Sequence, residues 1–174
     1  MLAFQAGDRG AFEALFRRYT APLVTFLARM VPDRGRAEEL AQEVFLRIYN
    51  ARERYEPRAR FSTWMFGIAH NLALNELALA YRKREQALGP EVAPVADPAA
   101  AADDQLDAKR AADRLQLALT RLPDRQRSAL LLRAEHGLSY EEIGEAVGSS
   151  VSSVKSLLHR ARESLLREMG GGAS

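Results

Sequence analysis

Apolar residues recur along most of this chain at the three- and four-residue spacing of amphipathic helices, and nowhere with the strict alternation of a half-buried strand. Phe12, Leu15, Phe16 and Tyr19 form a first stripe, and Leu23, Phe26, Leu27 and Met30 a second. Asp8 is placed to cap the first of these helices, and Thr20 with Pro22 marks a fresh start between them. A third helix follows Pro32-Asp33, with Ala37, Leu40, Ala41, Val44 and Ile48 inward and a turn signal at Glu56-Pro57 beyond its end. A fourth begins at Ser62 or Thr63. Phe61, Trp64, Met65 and Ile68 share its inner side, while Phe66 points elsewhere. His70-Asn71 reads as a short polar break before a further helix near Leu72.

The pattern stops between Gly89 and Leu106, where alanine and proline dominate and Glu91, Asp97, Asp103 and Asp104 give a local charge of −4. Pro90, Pro94 and Pro98 deny this stretch a continuous helix, so it reads as a flexible linker between two helical domains. Residues 1–86 form the first domain, 87–106 the linker, 107–170 the second domain and 171–174 a glycine-rich flexible tail. The expected class is all-α.

Helical period resumes in the second half, with Pro123 at a helix start and Gly137 at a helix stop. Ser139-Tyr-Glu-Glu142 has the form of a capping box, in which serine hydroxyl and glutamate carboxylate each satisfy a backbone N–H of the other. The helix it starts carries Ile143, Ala146 and Val147 on one side and ends at Gly148, after which Ser149 or Ser150 caps another. On that following helix Val151, Val154, Leu158, Ala161 and Leu165 form the inward stripe. Ser152, Ser153, Lys155, Ser156, His159 and Arg160 are left outside. From Ser149 to Arg167 four basic residues oppose the single acid Glu163, a local charge of +3. Short hydroxyls let a helix approach base edges while Lys and Arg supply phosphate and guanine contacts, so this is a candidate DNA-reading helix-turn-helix. A solvated basic face on a structural hairpin is the alternative.

Composition narrows the remaining chemistry. The 174 residues include no cysteine, which excludes disulfides, thiol catalysis and thiolate metal sites. His70, His136 and His159 are far apart and form no ligand-spaced pair, so no metal and no cofactor is expected. Net charge is +2 with a pI near 9.1, which permits a nucleic-acid partner without requiring one. No phosphate loop, nucleophile elbow or spaced carboxylate pair points to an enzyme. No apolar run is long enough to cross a bilayer and no signal segment opens the chain, which predicts a cytoplasmic protein.

Several stretches together resemble the extracytoplasmic-function sigma factors of bacterial RNA polymerase. In the second half they are Leu122-Pro-Asp-Arg-Gln-Arg-Ser-Ala-Leu-Leu-Leu-Arg133, Gly137-Leu-Ser-Tyr-Glu-Glu-Ile-Gly144, Val154-Lys-Ser156 and His159-Arg-Ala-Arg162. In the first half they are Ala6-Gly-Asp8 with Ala11-Phe-Glu-Ala-Leu15, Ala37-Glu-Glu-Leu-Ala-Gln-Glu-Val-Phe-Leu-Arg47, and Phe61-Ser-Thr-Trp-Met-Phe66 with Ile68-Ala69 and Asn71-Leu-Ala73. The resemblance implies a first domain that binds core polymerase and opens the −10 promoter element, and a second that reads the −35 element.

Site roles follow from it as expectations. Ser152, Ser153, Lys155, Ser156, His159 and Arg160 are assigned to the −35 element. Phe66, His70, Asn71, Asn75, Arg82, Lys83 and Arg84 are assigned to the −10 element, with Asn71 matching a position implicated in holding a flipped base. For Phe66 an ordinary place in the core is the competing reading. Glu39, Gln42, Glu43 and Leu46 form an outward stripe on the third helix, which the family uses to grip the clamp coiled coil of the large polymerase subunit. Partners implied are core polymerase, at its clamp and flap, promoter DNA, and an anti-sigma factor as a further candidate. Three positions depart from the family pattern: Gly67 stands where a basic residue is common, Ala78 to Tyr81 where a basic row is, and Leu157 where an arginine is usual. The rival reading is a helix-turn-helix regulator that never joins polymerase.

Overall fold

A computed structural model describes residues 1–87 and 104–170; residues 88–103, within the expected linker of 87–106, and the tail from 171 to 174 lie outside them. Among the described residues all regular structure is helical: α1 (Leu2–Gln5), α2 (Arg9–Met30), α3 (Arg34–Asn50), a 3₁₀ turn (Arg52–Arg54), α4 (Phe61–Ala87), α5 (Asp104–Thr120), α6 (Asp124–Ala134), α7 (Tyr140–Val147) and α8 (Val151–Gly170). The second helical region starts at Asp104, three residues inside the expected linker.

Starts follow their capping chemistry. Asp8 accepts from the Ala11 amide at 3.2 Å and Asp33 from the Arg36 amide at 2.9 Å, each satisfying one of the amides a helix start leaves open. The expected break at Thr20-Pro22 does not occur, and α2 runs through Pro22 as one helix. The Thr20 hydroxyl donates to the Phe16 carbonyl at 2.5 Å in this turn. The apolar stripes on both sides of Pro22 are packed against the rest of the fold, so burial outweighs the local defect: Leu23, Phe26, Leu27 and Met30 are fully buried, and Phe12 and Phe16 meet Phe45 of α3.

The expected break at His70-Asn71 is likewise absent, and α4 is one helix of 27 residues. Adjacent polar residues in a helix lie about 100° apart, so His70 turns into the molecule while Asn71 turns out of it. This helix is apolar almost all round because it is covered from two directions. Phe66 and His70 meet His136 and Ser128 of the second half, while Met65, Ala69, Leu72 and Ala73 are buried in the shared core. A single hydrophobic core runs from α2 through α4 to α8.

Candidate nucleic-acid interface

The helix-turn-helix is built as its residues dictate. The Ser139 hydroxyl accepts from the Glu142 amide at 3.1 Å, and the Glu142 carboxylate accepts from the Ser139 amide at 2.8 Å, completing the capping box that starts α7. Gly148 closes that helix at φ +63°, a left-handed conformation that glycine adopts without penalty. The Ser150 hydroxyl then accepts from the Ser153 amide at 3.2 Å and starts α8. Val154, Leu158 and Ala161 are buried on the inner side. Ser152, Ser153, Lys155, Ser156, His159 and Arg160 are all exposed on the outer one.

Two residues that hold this turn escaped the sequence reading. A Cβ on Gly144 would lie 2.7 Å from the Ser149 carbonyl oxygen, so only glycine lets α7 and the start of α8 approach this closely. Its signal was a glycine inside a strongly amphipathic helix, easily taken as neutral. Arg125, in the first turn of α6, donates to the Val147 carbonyl at 2.8 Å and the Ser149 hydroxyl at 2.7 Å. It clamps the turn and lines one concave surface with Ser152, Ser153, Ser156 and Arg160, extending the polar basic face beyond α8.

On α4 the expected set divides by helix geometry. Asn71, Asn75 and Arg82 fall within about 40° of one another around the helix, and all are exposed. Lys83 and Arg84 are exposed too, but the basic run winds round the helix end rather than forming a row. Phe66 and His70 sit on the opposite side and are corrected here. Phe66 is 3% exposed, 4.3 Å between ring centroids from His136 and 5.5 Å from Phe26, so it is a core residue. His70 is 1% exposed, with Nδ1 at 2.7 Å from the Ser128 hydroxyl. Burial, and secondarily the nearby Arg125 charge, lowers its pKa to about 4. Asn71 opens onto a cleft of about 570 Å³ that also takes in Arg54, Arg58, Trp64 and Gly67.

The α3 stripe is outward as expected, with Glu39, Gln42 and Leu46 exposed and Glu43 half-exposed. Its two carboxylates are each offset by a neighbouring arginine. Glu39 pairs with Arg36 at 2.7 Å, an arginine that also bridges to Glu76 of α4, and Glu43 pairs with Arg47 at 2.7 Å. The stripe is therefore close to neutral, and its distinctive feature is apolar. Leu46 is 59% exposed, Phe16 and Tyr49 are exposed as well, and Phe16, Val24, Ala41, Gln42 and Phe45 form a shallow groove. Phe16 was expected to face inward.

Among the described residues no three metal-ligating side chains cluster, and no helix is long and apolar enough to cross a membrane. Sequence comparison matches residues 15–85 to Sigma-70 region 2 and residues 112–165 to Sigma-70 region 4. The chain is 37% identical to RNA polymerase sigma factor CarQ of Myxococcus xanthus over 98% of this chain and 95% of that one. It is 30% identical to ECF RNA polymerase sigma factor SigW of Bacillus subtilis over 94% and 91%. Its fold matches that of a sigma factor RpoE solved with the anti-sigma factor NepR from Bartonella quintana, with a TM-score of 0.72, 23% identity, and coverage of 92% of this chain and 97% of that one. With two matched regions in order and full-length relatives of one kind, the chain belongs to the extracytoplasmic-function family of RNA polymerase sigma factors, which direct core polymerase to promoters.

Proposed function

We propose that this sigma factor reads the −35 element with the outer face of α8, engages the −10 strand along the Asn71, Asn75 and Arg82 face of α4, and docks on the polymerase clamp through α3. The observation that carries the reading is the α8 face: short hydroxyls and two basic side chains, exposed along one side of a helix whose start is fixed by the left-handed Gly148 before it and by the Ser150 cap. Arg125 widens that face. Lys83 and Arg84 supply charge to phosphates near the end of α4 without a fixed register. The two matched regions support a division into a polymerase-binding first domain and a −35-binding second domain, acting in the cytoplasm beside polymerase and without catalysis of its own. An anti-sigma partner is part of the proposal, since proteins of this fold have been solved with one.

On α3 the energy of polymerase docking is assigned to Leu46 with the groove beside it, and the orientation to Glu39, Gln42 and Glu43. Glu43 and Glu39 must exchange their own arginines for a partner's cations, which reduces what their charge adds. Leu46→Glu is expected to weaken binding to core polymerase by about 2 kcal/mol, roughly 30-fold, and more than Glu43→Arg does. A folded Leu46→Glu variant that forms holoenzyme with unchanged affinity overturns the assignment.

A further inference from the structure

The side of α4 assigned to the −10 strand is poor in cations. From Phe61 to Tyr81 this helix contains no lysine or arginine, and Gly67 and Ala78 fall on the same side as Asn71. The first basic residue along it is Arg82, roughly 16 Å beyond Asn71 at about 1.5 Å per residue. A single strand carries a charge at every phosphate, and binding it depends on neutralising them. The cations that share the Asn71 cleft stand instead on the connection between α3 and α4, where Arg54 and Arg58 form a wall with Trp64. Glu145 and Ala146 of α7 complete the lining, so these cations belong to the first domain alone.

That connection is held in place by the start of the chain. α1 has only four residues, too few to persist by its own hydrogen bonds, and it is kept helical by docking. Phe4 is buried against Phe12 and Tyr49, at 4.9 and 5.3 Å between ring centroids. The Arg52 guanidinium lies 5.7 Å from the Phe4 ring centroid and 5.0 Å from that of Tyr49, which fixes one end of the 3₁₀ turn. At the other end the Gln5 carboxamide donates to the Tyr55 carbonyl at 3.0 Å and to the Glu53 carbonyl at 3.4 Å, the two residues that flank Arg54. Tyr55 is itself buried, with its ring 4.8 Å from Trp64. Arg52 is engaged by the two rings and Arg58 by Glu56 at 2.6 Å. Arg54 is exposed in the cleft and makes no ion pair among the described residues.

We propose that Arg54 is a phosphate contact for the −10 strand held at Asn71, and that Gln5 is the positioning residue that aims it. The proposal rests on the reading of the Asn71 face as the −10 site. Carbonyls pinned on either side of Arg54 fix the direction in which its side chain leaves the turn. A cation placed in this way meets the strand with less loss of conformational freedom than one on an untethered loop. Arg58 sits on the same wall, but Glu56 already offsets its charge.

The test uses holoenzyme assembled from core RNA polymerase and the full chain, with a promoter probe whose −35 element is duplex and whose −10 region is single-stranded. Binding is measured over a series of salt concentrations for the parent, Arg54→Gln, Gln5→Ala, the double variant of these two, and Asn71→Ala. Arg54→Gln is expected to weaken binding about fivefold and to reduce the slope of log affinity against log salt by about 0.7, the share of one phosphate on a single strand. Gln5→Ala is expected to weaken it about threefold, and the double variant to bind no worse than Arg54→Gln alone, because Gln5 acts through Arg54. Arg54 is exposed, so its variant keeps the fold whatever Gln5→Ala does to α1. Unchanged affinity and slope in Arg54→Gln would overturn the phosphate contact. A double variant that loses the product of the two single losses would overturn the positioning role and leave Gln5 a structural residue. Unchanged affinity in Asn71→Ala would count against the −10 reading of α4 instead, and the Arg54→Gln slope would still decide whether the cation meets the strand.

Discussion

The two helices assigned to DNA differ in how much of their circumference the rest of the molecule uses. α8 buries one stripe, Val154, Leu158 and Ala161, and leaves the other side to solvent, so its outward residues are those the spacing indicates. α4 is gripped from two directions and keeps only a strip containing Asn71 and Asn75 free over its middle. A polar or aromatic residue on α8 is therefore informative by its position alone. On α4 the same residue types divide, with His70 and Phe66 buried and Asn71 at the surface.

The sharpest way to break this comparison is through His70, the polar group that α4 hides. Its pKa is lowered from 6.5 to about 4, so the folded state favours the neutral ring. The stability this contributes is fully present above pH 6.5 and is lost as the pH falls from 6.5 through about 4. The loss reaches about 3 kcal/mol at most, at about 1.4 kcal/mol per pH unit. Denaturation followed from pH 7 to pH 4 should show a flatter profile for His70→Gln than for the parent, and parallel profiles would mean that the ring is not held neutral by this burial.

Next in size is the turn that seats α8. Gly144→Ala forces a Cβ against the Ser149 carbonyl and is expected to cost about 2 kcal/mol in thermal or chemical denaturation. An alanine variant of unchanged stability would show that the turn has slack. Smallest is a single contact on the open face: Arg160→Ala is expected to weaken binding to the −35 duplex by about 1 kcal/mol without changing stability. Loss of stability equal to the parent-to-Gly144→Ala difference would show that α8 is not as free on its outer side as its exposure indicates.

Legibility followed the same division. The capping box, Gly148, the inward stripe of α8 and the outward stripe of α3 depend on neighbours within a turn or two, and such signals survive in one dimension. Pro22 and His70-Asn71 misled because a local breaker was weighed without the tertiary burial on either side of it. Arg125 and Gly144 were invisible for another reason. Each acts on backbone that only the folded turn brings close, Arg125 on Val147 and Ser149, and Gly144 on Ser149. The arginines beside Glu39 and Glu43 stood in the sequence three and four residues away, yet which of them pairs inward decides whether the α3 stripe is acidic or neutral.

The division of labour between α8 and the free strip of α4 is tested most directly by promoter opening with Asn71→Ala. Asn71 is exposed and away from the core, so its truncation should leave folding and holoenzyme assembly intact. Permanganate footprinting and run-off transcription would be compared on a fully paired promoter and on one with the −10 region already melted. Extruding a base costs a few kcal/mol that contacts to the flipped base must offset, so the variant is expected to be defective on the paired template and largely restored on the melted one. Normal transcription from the paired template, or an equal defect on both, would contradict the role given to α4.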